Sequence, residues 1–226
     1  MGEHDGHRNR LRQRFLKDGL DHLTDDQVLE LLLFYAMPRR DTNPLARKLL
    51  AHFGSLSAVL DASYHELMEV EGMGEQTATL VHLVTPISRR YLMGRSQQNK
   101  IITSTQICGE YLLPYFYGSK DELIYLLCLD AKKKVLLCRL LQHGSIHSAS
   151  FSIRNAVSTA MSCNATFVVL AHNHTSGVAL PSQADITTTQ YLREAMQALD
   201  IILIDHIIVA DNDFVSMAEN GYFLRP

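Results

Sequence analysis

The stretch Leu170-Ala171-His172-Asn173-His174-Thr175-Ser176-Gly177-Val178-Ala179-Leu180-Pro181-Ser182-Gln183-Ala184-Asp185 decides how this chain is read. It continues Phe167-Val168-Val169, an apolar run rich in β-branched residues that suits a buried strand. Side chains alternate between the faces of a strand, so His172 and His174 share one face at its end. Gly177 and Pro181 punctuate a loop. Ser182 to Asp185 then open a segment with apolar residues at helical spacing, Ile186, Leu192, Met196 and Leu199. An aspartate in the first turn of that helix can face back toward the strand end. Two imidazoles and one carboxylate make a three-ligand zinc set with a fourth position left for water, as in a catalytic site. A plainer reading exists for each part. Ser182-x-x-Asp185 is also a capping-box-like helix start, and histidines at a strand end can simply hydrogen-bond. The joint spacing, His-x-His, seven residues, Ser, two residues, Asp, sets the metal reading ahead.

This joint pattern resembles the JAMM (MPN-plus) metalloprotease motif as it occurs in the RadC family of bacterial proteins. His172, His174, Ser182 and Asp185 all fall on the motif. The resemblance implies one zinc ion per chain on His172, His174 and Asp185, and metal-activated water attacking an amide carbonyl. It implies that Ser182 hydrogen-bonds that water or the developing oxyanion. It also implies a glutamate acting as general acid/base at the start of the strand that follows the domain's first helix. That place is held by Glu122, in Lys120-Asp121-Glu122-Leu123-Ile124, ahead of an apolar run that ends in Leu129-Asp130. Its neighbour Asp121 would point to the opposite face. Two positions depart from the family's pattern: Thr175, where proline is usual, and Asn155, where glutamate is common. Neither belongs to the ligand set. The resemblance covers essentially the whole chain.

Composition bounds the other classes. The 226 residues suit one large or two small domains, and 46% hydrophobic with 20% charged content is ordinary for a globular protein. No apolar run approaches the ~18–20 residues that span a bilayer. The N-terminus has no apolar segment of the secretory kind, and Gly6 stands where a myristoylation signal would want Ser or Thr. The four cysteines form no C-x-x-C pair, and Cys128 and Cys163 lie in or beside apolar segments. Buried thiols in a reducing, cytoplasmic compartment are the expectation, with no membrane partner. Net charge is −3, so the chain is not a nucleic-acid binder by bulk charge. Residues 1–100 carry 13 Lys/Arg and 13 Asp/Glu, and the remainder 8 and 11. Arg8, Arg10, Arg12, Arg14 and Lys17 nevertheless form a basic block, read as a solvated helix face or, alternatively, as a phosphate contact.

Residues 1–98 read as short helices. Leu11, Phe15 and Leu20 give a weak apolar stripe. Thr24 starts a helix that Pro38 ends, Asn43-Pro44 starts the next, with Gly54 at its close, and Ser63 to Glu66 is a capping box. Val70-Glu71-Gly72-Met73-Gly74-Glu75 leads into a helix running through Arg90 and resembles the helix-hairpin-helix motif, in which free amides hold a DNA phosphate. Gly72 and Gly74 are the candidate phosphate-binding positions. Glu69, Glu71 and Glu75 would repel a phosphate, so helix packing and protein contact stand beside DNA binding as readings of this hairpin. The polar stretch Met93 to Lys100 reads as a linker.

Residues 101–226 alternate helices and strands, which argues for an α/β domain built on a mixed sheet with flanking helices. JAMM/MPN-like and deaminase-like domains share that layering. A helix capped at Thr103-Ser104 is closed by Pro114 and Gly118. Leu123–Leu129 and Val135–Leu141 form a hairpin, and Ser145 to Ser150 a short strand. Ile153 to Cys163 is a helix presenting Val157 and Met161, and Ile201 to Val209 and Phe214 to Ser216 are the last strands. Asp205 and His206 admit two readings, a satisfied core pair or a group that orients a ligand.

Two functions follow. One is a zinc-dependent metallopeptidase or isopeptidase acting on a protein or peptide. The other is a DNA-associated protein that binds through residues 1–98 and processes DNA at the metal centre.

Overall fold

The computed structural model describes residues 3–38, 40–96, 100–144 and 151–222, and the strand expected at 145–150 lies outside them. The chain divides into two compact units, Met1–Ser88 and Arg89–Pro226.

The first unit is helical: α1 (Glu3–Asp18), α2 (Asp25–Ala36), α3 (Asn43–Phe53), α4 (Leu56–Asp61), α5 (Tyr64–Met68) and the start of α6 (Glu75–Ser96). Its capping chemistry follows the sequence. Thr24 and Ser63 head capping boxes, and α3 stops at Gly54 with φ of 90°, a left-handed conformation that glycine adopts without a Cβ clash. Leu29, Leu33, Leu49, Val59, Leu67 and Val81 form the core. Each such side chain contributes about 1.5–3 kcal/mol by leaving water. Glu30 is buried yet satisfied, 3.0 Å from both His7 Nε2 and Asn43 Nδ2. Two expectations are corrected. Of the expected N-terminal stripe only Leu11 is buried, since Phe15 and Leu20 stay exposed. The helix expected to reach Arg90 runs on to Ser96, so Met93 to Ser96 is helical.

The second unit holds α7 (Thr105–Phe116), β1 (Leu123–Leu129), β2 (Val135–His143), α8 (Ile153–Ser162), β3 (Phe167–Asn173), α9 (Gln183–Gln197), β4 (Ile202–Ala210) and β5 (Asp213–Ser216). The strands form one mixed sheet in the order β2-β1-β3-β4-β5. β3 and β4 are parallel, with α9 as their crossover, and the other pairs are antiparallel. Alternation splits the core in two. Leu127, Val169 and Val209 pack beneath Tyr111, Leu112 and Tyr115 of α7. Leu126 and Leu170 pack against Ala156, Ala160, Leu192 and Met196 of α8 and α9. β1 is therefore buried on both faces, which is why it reads as an unbroken apolar run.

Two details differ from the sequence reading. Pro114 lies inside α7 and does not close it. α8 turns its small residues Ala156, Thr159 and Ala160 to the sheet and leaves Met161 57% exposed. At Gly109 the Phe214 ring of β5 occupies the space that a Cβ would take, so α7 rests directly on that strand. No helix among the described residues is long and apolar enough to cross a membrane.

Candidate metal centre

β3 runs antiparallel to β1 with Ile124 opposite His172. His172 therefore lies on the face covered by α8 and α9, and His174, two residues on, shares it. The strand also explains Asn173, which faces the other way. Its Oδ1 accepts the Leu123 N–H at 2.7 Å and its Nδ2 donates to the Asp121 carbonyl at 3.0 Å. Asn173 thus holds the peptide groups on both sides of Glu122. The Gly144 N–H, 2.7 Å from the Glu122 carbonyl, holds the second of these from its other side.

Asp185 reaches the same spot from the first turn of α9. Ser182 is the N-cap, accepting the Asp185 N–H at 3.2 Å, while Asp185 Oδ2 accepts the Ser182 N–H at 2.7 Å and its hydroxyl at 2.6 Å. The capping box and the candidate ligand set are therefore one arrangement. The cap fixes the Asp185 rotamer, and the rotamer presents the carboxylate to the two histidines.

The donor atoms of His172, His174 and Asp185 all lie within 4.8 Å of one another. Nε2 of His172 is 2.8 Å from Nε2 of His174 and 3.2 Å from Asp185 Oδ1, and His174 Nε2 is 3.5 Å from Asp185 Oδ2. Ligands of a tetrahedral zinc at about 2.0–2.2 Å stand roughly 3.3–3.6 Å apart. The His174–Asp185 contact matches that edge, the His172–Asp185 contact is a tenth of an ångström short of it, and the histidine pair is tighter. Asp185 is fully buried, and its Oδ1 has no hydrogen-bond partner. A buried carboxylate oxygen left without a hydrogen bond is costly unless a cation serves it.

Proton positions point the same way. His174 Nδ1 lies 3.0 Å from the Val178 carbonyl, which only accepts, so this nitrogen carries the hydrogen. A neutral His174 then has a bare lone pair on Nε2, aimed at the corresponding atom of His172. Burial pushes the Asp185 carboxyl up, but the His172 and His174 rings beside it, as donors when protonated on Nε2, outweigh it and hold the group well below the usual carboxylate range. The hydrogen bond to Asp185 in turn raises His174 above an ordinary imidazole, and the charge of Glu122 adds to that. The residues present fit a small divalent cation.

Glu122 stands immediately before β1, half-buried, on the face of Ile124 and His172. It is not a member of the three-residue cluster, yet its charge reaches His174. The Ser182 hydroxyl, directed at Asp185, would have to turn to meet any other acceptor.

His206 also meets the site, its Nε2 lying 2.8 Å from His172 Nδ1. Thr189 is the residue that sequence reasoning missed, although it stands one helical turn after Asp185. Its Oγ is 2.5 Å from the Asp185 carbonyl and 2.6 Å from His206 Nδ1. Burial, followed by the neighbouring His172, lowers His206 well below an ordinary imidazole and keeps it neutral.

In the helical unit, Gly72 and Gly74 lie between α5 and α6, Gly72 with φ of 101°. They form part of the wall of an open concavity of about 840 Å³, with Arg40 and Thr77. Two cations nearby are committed internally. Arg8 donates to the carbonyls of Phe34, Met37, Pro38 and Arg40 at the C-terminal end of α2, and its guanidinium sits 4.4 Å above the Phe34 ring. Lys48 is paired with Glu71 at 2.6 Å.

Residues 102–222 match the family described as the RadC-like JAB domain, and residues 6–79 the family described as UPF0758 N-terminal. Among similar proteins, the UPF0758 protein of Stutzerimonas stutzeri is 38% identical over 213 residues, 94% of this chain and 95% of the relative. The UPF0758 protein of Saccharophagus degradans is 35% identical over the same shares. That of Ectopseudomonas mendocina is 38% identical, again over 94% and 95%. With the mixed sheet and the His-His-Asp cluster already described, the chain belongs to the RadC family, whose JAB domain is of the metal-dependent hydrolase type.

Proposed function

We propose that this chain is a zinc-dependent hydrolase of the metallopeptidase or isopeptidase type, acting on an amide bond in a protein or peptide. The observation that carries the reading is the convergence of two imidazole Nε2 atoms and the orphaned, buried Oδ1 of Asp185 on one point. A zinc ion held there supplies a Lewis acid and an acidified water. The chain's own residues supply the rest. Glu122, pinned through its flanking peptides by Asn173 and Gly144, takes a proton from the attacking water and delivers it to the leaving amine. Ser182, once its hydroxyl turns from Asp185, donates to the oxygen on which negative charge develops. His172, His174 and Asp185 would hold the cation. Four cysteines outside any disulfide, with burial raising the thiols of Cys128 and Cys138, favour a reducing cytoplasmic setting.

The test is a peptide and isopeptide substrate panel run with the native chain and with Glu122→Gln. The expected result is cleavage by the native chain alone, with equal zinc in both. Equal cleavage by the two proteins would reject the role of Glu122.

A second reading, DNA binding through residues 1–98, has one observation in its favour. The N-terminal end of α6 and Arg40 face the same open concavity. Glu71 and Glu75 flank that end, and Lys48 is already spent on Glu71. Salt-dependent binding of a short DNA duplex, lost on Arg40→Ala, would support it.

A further inference from the structure

β4 carries an irregularity whose effect reaches the metal centre. Val168 pairs with Leu203 but Val169 with Asp205, so Ile204 is an extra residue, a bulge on β4. Leu203 packs on the α8/α9 side. In a regular strand a residue three positions on would point to the opposite side, toward α7. The bulge inverts the alternation. His206 pairs with Leu170 and stands on the face of His172, while Ile207 and Val209 fill the core beneath α7. The backbone here is pinned. Asp205 Oδ1 accepts the His206 N–H at 2.8 Å and the Ala218 N–H at 3.1 Å, and Oδ2 accepts the Ser216 hydroxyl at 2.6 Å. The His206 carbonyl accepts the Met217 N–H at 2.9 Å.

The side-chain protons can be assigned from one fixed end. The Asp185 carbonyl cannot donate, so the single hydroxyl proton of Thr189 lies on the 2.5 Å contact between them. Thr189 Oγ then accepts from His206 Nδ1, 2.6 Å away. A neutral imidazole protonated on Nδ1 has only a lone pair on Nε2. His206 Nε2 therefore accepts, and the donor is His172 Nδ1 at 2.8 Å. In the other tautomer of His172, two lone pairs would face each other and a hydrogen would cover the nitrogen that must bind the metal.

We propose that His206 is a positioning residue for the metal centre: turned by the bulge at Ile204, it takes the Nδ1 hydrogen of His172 and so presents the His172 Nε2 lone pair to the cation, with Thr189 fixing the tautomer of His206 in turn. The proposal rests on the reading that His172, His174 and Asp185 hold a metal. It closes a circuit through the three elements concerned. β3 bears His172, β4 bears His206, and α9 bears both Thr189 and Asp185. Breaking an outer partner of this kind typically weakens metal binding about 10–100-fold.

The experiment uses the full chain with ¹⁵N-labelled histidine, stripped of metal and reloaded with zinc, at about pH 8, where ordinary imidazoles are neutral. Long-range ¹H–¹⁵N spectra report the tautomer of His172, and competition with a chromophoric chelator reports zinc affinity. The native chain is expected to show His172 protonated on Nδ1 in both states. His206→Phe should lose that signature and bind zinc roughly 10–100-fold more weakly. His206→Gln, whose side-chain oxygen takes the place of Nε2, should recover most of the affinity. Thr189→Val, which keeps the His206 ring, should move both readouts in the same direction, and it carries the test should His206→Phe fail to fold. An Nε2-protonated His172 in the native chain, or an unchanged tautomer and affinity in Thr189→Val and whichever His206 variant folds, would overturn the proposal. Failure of the native chain to bind zinc would instead count against the metal reading. The tautomer spectra of the stripped protein would still decide the role of His206.

Discussion

The Nε2 atoms of His172 and His174 stand 2.8 Å apart, and each ring has already given its Nδ1 hydrogen to another acceptor, His206 in one case and the Val178 carbonyl in the other. Two lone pairs in that position repel unless a proton or a metal ion lies between them. Asp185, negative and buried beside them, makes the point more favourable still for a cation.

Zinc should therefore stabilise the native fold. At a free concentration about 100-fold above Kd, the gain is about 2.7 kcal/mol, visible as a raised melting temperature. Asp185→Asn keeps an acceptor for the Ser182 N–H, so the metal-free variant should stay folded. Its melting temperature should no longer respond to zinc. An equal response in both proteins would exclude Asp185 as a ligand.

Zinc affinity should fall as pH drops. The hydrogen bond to Asp185 raises His174, so protons compete for its Nε2 up to a higher pH than for an ordinary imidazole. The decline should begin above the usual value of about 6.5. Asp185 is held low and stays ionised across this range, so it does not set the slope. In the metal-free protein the sign reverses. The stability that protonated His174 contributes is fully present below the unfolded imidazole value and is lost as pH rises through its raised folded value. Chelator competition at several pH values reads the first effect, and a flat profile between about pH 8 and 6 would contradict it.

Asn173→Leu should separate positioning of Glu122 from metal binding. It removes the partner of the Leu123 N–H and one of two donors to the Asp121 carbonyl, which keeps the Ser119 hydroxyl at 2.8 Å. The N–H left unsatisfied costs about 1–3 kcal/mol. The expected variant melts earlier and turns over more slowly, with zinc content unchanged. Native turnover in this variant would mean that the clamp does not matter to Glu122.

Arg8→Ala should destabilise the helical unit by roughly 1.5–3 kcal/mol, the range for hydrogen bonds to a charged group. Denaturant unfolding of that unit measures this. A change below about 0.5 kcal/mol, as for an unremarkable surface site, would contradict the structural role.

Much of this was legible in the sequence because it is local. His172 and His174 share a face by strand alternation, and Ser182 with Asp185 is a helix cap that brings the carboxylate to them. β1 reads correctly because every residue in it is buried. What escaped depends on pairing between distant segments. Nothing in Leu203-Ile204-Asp205-His206 signals a bulge, since no glycine marks it, yet the bulge decides where His206 points. Thr189 looks like any helical threonine until β4 brings His206 against it. Arg8 read as part of a basic surface block because its acceptors lie at and just beyond the C-terminal end of another helix. Pro114 read as a helix stop, whereas α7 continues past it to Phe116.

The central claim is that His172, His174 and Asp185 form a metal centre, and zinc stoichiometry of the metal-stripped and reloaded chain tests it most directly. The account expects one zinc ion per chain, lost in His172→Ala and in Asp185→Asn while both variants remain folded. No bound zinc in the native chain, or the same zinc content in all three proteins, would contradict it.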